Sequence, residues 1–173
     1  MVVSSSRVYC RSTPGEVSHF ALVLERIARN ALAQFRDISD VDLNRPLELP
    51  ESNTTMVLAT HFIGSAEYWV LELAGGRDVQ RNRRSEFRAT GTGAELAERY
   101  ERWLTAMQEL LRTLPDERLD QPVSVPASYH PTLVEEPMTM RDVLLHAIEH
   151  SALHQGHLEL TRQLLGYSPA GAQ

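Results

Sequence analysis

The sequence predicts an all-α protein built as a four-helix bundle. Three observations predict it. Four long stretches repeat apolar residues at spacings of three and four, which lines one face of a helix. Each stretch opens and closes on capping signals. The segments between them are rich in proline, glycine, asparagine and charge, which is turn chemistry.

The first helix is expected from about Pro14 to Phe35. Thr13 can cap it, Pro14 suits the first helical position and Glu16 completes a capping box. Phe20, Val23, Leu24, Ile27, Ala31 and Phe35 form its stripe. The second is expected from about Thr54 to Ala74, capped by Ser52 or Asn53 and stopped by Gly75-Gly76. Met56, Phe62, Ile63, Trp69 and Val70 belong to its broad apolar face. The third runs from about Ala94 to Leu114. Thr92 and Glu95 pair as a capping box and Pro115 ends it. Leu96, Tyr100, Trp103, Leu104, Met107 and Leu111 lie along one side of it. The fourth runs from about Met140 to Leu165, with Thr139 as cap, Asp142 at the third position and Gly166 after the end. Its apolar members include Val143, Leu144, Ala147, Leu153, Leu158, Leu160 and Leu164. Between the helices, Ser39 to Pro50 and Arg77 to Gly93 read as turns. Pro115 to Pro137 reads as a long loop with a short strand near Val123 or Val125. Loops of that length are uncommon and often functional.

A chain of 173 residues suits one domain with a sizeable core. Residues 1–12 are expected to be a flexible leader, 13–167 the domain and 168–173 a flexible tail. The net charge of −6 argues against a nucleic-acid partner, which favours a basic face. The single cysteine, Cys10, excludes a disulfide within the chain and suits a reducing compartment. No apolar run is long enough for a signal peptide or a membrane span, so a cytoplasmic location is expected.

Histidine is unevenly placed. His146, His150, His154 and His157 all fall on the fourth helix. At about 100° per residue their rings project within a sector of about 80°. A spacing of four sets two imidazoles one turn apart on the same side, so both can reach one cation. His61, on the apolar second helix, is the natural third ligand, because a histidine in the interior needs a partner. Either overlapping pair, His146 with His150 or His150 with His154, can complete such a set. Glu67 follows His61 on the same helix and can support a ligand. A di-iron bundle is excluded by the lack of two Glu-x-x-His motifs, and a zincin by the lack of H-E-x-x-H.

The segment HAIEHSALHQGHLELTRQLLG, His146 to Gly166, resembles the closing helix of DinB-like proteins. TTMVLATHFIGSAEYW, Thr54 to Trp69, resembles that family's second helix. Arg81, Arg84, Glu86, Phe87 and the run ATGTGAEL resemble the connecting region of the branch that includes mycothiol-dependent enzymes. The resemblance spans roughly Phe20 to Gly166. Two departures stand out: Gln155-Gly156-His157 replaces the common Arg-Gly-Gln, and His150 stands where the mycothiol branch often has Glu.

The resemblance implies a four-helix bundle of DinB type, commonly a homodimer, with one divalent metal, zinc or nickel. It implies His61, His150 and His154 as ligands, which leaves His146 and His157 as supporting or structural residues. It also implies that Gly156 is a close-packing point against a neighbouring helix. The activity it implies is transfer of a low-molecular-weight thiol, mycothiol- or bacillithiol-like, to a small electrophilic substrate. A metal with an open position makes a thiolate at neutral pH. Arg81 and Arg84, within an arginine-rich segment, can hold an anionic group of the thiol, and His130 in the long loop can reach the pocket mouth. Two other functions fit the same ligands: a metal-dependent hydrolase, and a non-enzymatic stress-response binding protein with a structural metal.

Overall fold

The computed structural model describes residues 15–126 and 137–170. Thr13, Pro14, Cys10, His130, the leader and the last three residues lie outside the described residues. Four long helices dominate: α1 (Glu16–Phe35), α3 (Thr55–Ala66), α5 (Gly93–Thr113) and α6 (Met140–Leu164). Two single turns, α2 (Asp40–Leu43) and α4 (Arg83–Glu86), interrupt segments that read as turns in the sequence. Ser39 and Asn82 cap them by accepting from the N–H of Asp42 and Ser85. A 3₁₀ turn, Asp116–Arg118, follows α5.

α1 and α3 each pack between α5 and α6, which makes a four-helix bundle. The apolar stripes meet inside it. Tyr100 of α5 sits between Phe35 of α1, edge-on at 5.1 Å, and Phe62 of α3, stacked at 5.3 Å. Its hydroxyl donates to the Ala59 carbonyl at 2.9 Å, so a buried polar group is satisfied.

Capping explains most helix ends, with two corrections to the sequence reading. The boxes Thr92/Glu95 and Thr139/Asp142 form as expected. Thr54, rather than Ser52 or Asn53, caps α3, because its hydroxyl accepts from the Val57 N–H at 3.1 Å. α1 begins at Glu16, and Gly15 gives it no side-chain cap. Asp116, a hundred residues away, accepts from the N–H of Glu16 at 2.7 Å and of Val17 at 3.0 Å. Gly15 leaves room for it: a Cβ there would stand 2.6 Å from the Asp116 carboxylate.

The second helix also differs from expectation in its winding. From Glu67 to Ala74 it continues α3 as a π-helix, a rare form that is frequent at functional sites. The expected short strand is present: Pro122–Val123 (β1) pairs antiparallel with Met138–Thr139 (β2), which leads directly into α6.

α6 corrects the sequence reading once more. Leu153, Leu160 and Leu164 are apolar members of its pattern, yet all three are exposed, as is Leu145. The buried side of α6 is formed by Val143, Leu144, Ala147, Ser151, Leu158, Thr161 and Arg162. The helix carries more leucine than its one buried face can take. Buried Arg162 closes this end of the bundle, donating to the Gln34 carbonyl at 3.0 Å and to both Asp37 oxygens at 2.5 and 2.8 Å. Its Nε donates to the Ser168 carbonyl, at the start of the expected tail.

Candidate metal centre

The packing of α3 against α6 brings His61 up to the pair one turn apart on α6. The ring of His61 lies 5.2 Å from that of His150 and 4.9 Å from that of His154, centroid to centroid. His150 and His154 are 4.4 Å apart. One ring nitrogen from each of the three lies within 4.8 Å of the others. Of the two overlapping pairs on α6, His150 with His154 is therefore the one that converges with His61.

The electrostatics suit ligands. Burial holds the His150 imidazole down at about 3, with His154, His61, His146 and Arg81 adding to the effect. Burial lowers His154 to about 4, helped by His61 and His157. Both are neutral near pH 7, so their lone pairs are free to bind a cation. His150 Nδ1 is buried with no hydrogen-bond partner among the described residues, which costs free energy unless something else binds the ring. Three converging imidazoles, two of them neutral and one with an orphaned buried nitrogen, fit a divalent metal ion.

His61 is held differently. Its Nδ1 lies 2.7 Å from Glu86 Oε2. Arg81 grips the same carboxylate from the other side, Nε to Oε1 at 2.7 Å and Nη2 to Oε2 at 3.0 Å. Burial pushes the Glu86 carboxyl up, but the bonds from His61 and Arg81 and the Arg81 charge outweigh it, and the net effect is downward. Phe87, 40% exposed, lies against His61 at 4.9 Å, and the Arg83 guanidinium sits 5.1 Å over its ring.

The remaining expected residues fall around this centre. His146 packs on Trp69 at 4.1 Å and stands 5.8 Å from His150, outside the set of three. His157 is exposed, with Nδ1 3.4 Å from His154 Nδ1. Glu67 is directed to Arg99, at 3.0 and 2.5 Å, rather than to a histidine. Arg81 is committed to Glu86, while Arg84 is exposed on α4. Gly156 is not a packing point: it is exposed and a Cβ would meet nothing within 4 Å, because it sits on the outward face of α6.

Sequence reasoning gave Glu86 no role and passed over Gly64. Nothing in spacing marks Glu86, which is one acid in an arginine-rich turn. Gly64 carried a signal: a glycine inside a helix costs about 1 kcal/mol relative to alanine and needs a reason. The reason is close approach, since a Cβ at Gly64 would stand 2.5 Å from Glu86 Oε1.

A four-helix bundle that brings one histidine of its second long helix up to an i, i+4 pair on its last is a DinB-like bundle. The chain belongs to the mycothiol-S-transferase family, whose model matches residues 20–166. Among solved structures it is similar to a conserved protein from Enterococcus faecalis. That match has a TM-score of 0.67 and 14% identity, covering 88% of this chain and 98% of the other. It is also similar to a DinB-like protein from Bacillus cereus, with a TM-score of 0.63 and 16% identity, covering 90% and 92%. At such identities the likeness establishes the fold. A comparison with curated proteins gives no match. Among the described residues, no helix is long and apolar enough to cross a membrane.

Proposed function

We propose that this protein is a metal-dependent thiol S-transferase, which joins a low-molecular-weight thiol such as mycothiol or bacillithiol to a small electrophile. The observation that carries the reading is the convergence of His61, His150 and His154 in a chain of the mycothiol-S-transferase family. These three side chains would hold the ion, zinc or nickel. When bound, such an ion supplies Lewis acidity, which lets a coordinated thiol ionise at neutral pH.

The chain's own groups do the rest. With only three side chains to hold it, such an ion would still have room for a reactant. His150 and His154 remain unprotonated at neutral pH and so keep their lone pairs available. Phe87 and Arg83, stacked beside His61, offer an apolar face and a positive charge to an incoming molecule. Arg84 is exposed on the same turn and can meet an anionic group of the thiol.

The test is an adduct assay with zinc- or nickel-loaded protein, a panel of thiols including mycothiol and bacillithiol, and chlorodinitrobenzene as electrophile. The sulfur–carbon bond forms, chloride leaves and the thiol proton passes to solvent. Turnover should require both thiol and metal and fall at least about 100-fold in His150→Ala, the scale for loss of an interaction essential to the transition state. Metal-loaded protein that consumes no thiol with any member of the panel would overturn the transferase reading. Ester hydrolysis by that same protein would then place it among hydrolases.

A further inference from the structure

We infer that Glu86 and Arg81 form a positioning pair that fixes which nitrogen of His61 faces the metal, with Gly64 as the seat for the carboxylate. The inference rests on the metal-binding reading above. An imidazole has two nitrogens, and in its neutral form only one carries a lone pair. His61 Nδ1 stands 2.7 Å from a carboxylate oxygen, which can only accept. Nδ1 therefore carries an N–H that donates a hydrogen bond to Glu86, so that in the neutral ring the lone pair is on Nε2.

That arrangement is held from three directions. Arg81 forks both oxygens of Glu86, the planar geometry that resists rotation of a carboxylate. Side-chain exposure is 8% for His61 and 5% each for Glu86 and Arg81, so water does not compete for these bonds. The absent Cβ of Gly64 leaves the space that Glu86 Oε1 occupies. Phe87, next in sequence to Glu86, covers a face of the His61 ring.

Among the described residues, no such pair stands behind the other two histidines. His150 Nδ1 has no partner among the described residues, and His154 Nδ1 faces exposed His157. Among the described residues, the site thus joins one imidazole oriented from the α4 segment with two placed by their spacing on α6. Carboxylates behind metal-bound histidines typically change affinity 10- to 100-fold, roughly the effect expected here.

The experiment titrates metal-free protein with zinc against a chromophoric chelator at pH 7. It compares wild type, Glu86→Gln, Arg81→Met and His61→Ala, with circular-dichroism melting as a control for folding. Nitrogen NMR of the metal-free proteins reads the His61 tautomer separately. Glu86→Gln should bind one zinc about 10- to 100-fold more weakly, and its His61 should lose the pure Nδ1–H form that wild type shows. Arg81→Met should weaken zinc in the same direction. Zinc binding by both variants within about twofold of wild type, or a wild-type His61 protonated on Nε2, would overturn the inference. If wild type binds no zinc while the tautomers behave as stated, the metal reading itself has failed and the pair orients His61 for another purpose.

Discussion

At Gly64 the helix backbone and a buried carboxylate nearly touch. A methyl group there would stand 2.5 Å from Glu86 Oε1 and 3.0 Å from its Cδ, with Arg99 Nη2 at 3.5 Å. Gly64→Ala therefore sets two effects against each other. Alanine favours the helix by about 1 kcal/mol. Overpacking of a filled interior costs about 1–3 kcal/mol. Glu86 is the free end of a side chain and could swing away, but His61 and Arg81 hold it, and moving it breaks those bonds. The net expectation is a destabilisation of about 1 kcal/mol, at the lower end of that range. Urea unfolding reads it as a lower midpoint at unchanged slope. A midpoint equal to or above that of wild type would show that the carboxylate yields freely and that its seat is not tight.

At the level of the helix, what was legible in the sequence was what is local. Thr92 with Glu95 and Thr139 with Asp142 lie three residues apart, so each box could be read without a fold. The α6 pair His150 and His154 was legible for the same reason. The α1 cap was not: Asp116 becomes its neighbour only after the chain has folded. The amide bonds of Val17 and Glu16, in that order, hold the Asp116 carboxyl below its ordinary value. The sign follows. A depressed folded value means that the contribution to stability is present above the ordinary carboxylate range and is lost as pH falls through the folded value. Asp116→Ala should therefore melt below wild type at neutral pH, and the gap should close as acid protonates Asp116 in the wild type. Hydrogen exchange at the Glu16 and Val17 amides should quicken in the variant. Parallel melting curves with a constant gap down to strong acid would show that the charge contributes nothing to the cap.

For the whole molecule, the decisive fact is that the three histidines come from two helices distant in sequence. Periodicity placed His61 on the second long helix and His150 and His154 on the last, and the bundle made them neighbours. Periodicity misled for Leu153, Leu160 and Leu164, because it reports a helix and not which of its faces a partner covers. It was silent on Glu86, whose partners Arg81 and His61 meet only when the α4 segment folds back on α3. A site built across helices couples to global unfolding. His150 and His154 alone remain one turn apart in any helical fragment of α6, so an ion bound to that pair would stabilise α6 and little else. With His61 in the set, binding requires α3 and α6 to be packed, and separating them loses the ion. A ligand bound only by the folded state at 100 times its Kd adds about 2.7 kcal/mol. For a chain of this size that corresponds to a rise of roughly 5–10 °C in Tm. Zinc at such an excess should raise the Tm of chelator-stripped protein by that amount. In His61→Ala the rise should vanish, while the stripped variant still melts cooperatively because Glu86 keeps its Arg81 partner. An equal rise in wild type and variant would show that the folded protein holds the ion without His61 and would remove that residue from the site. No rise in either would remove the metal.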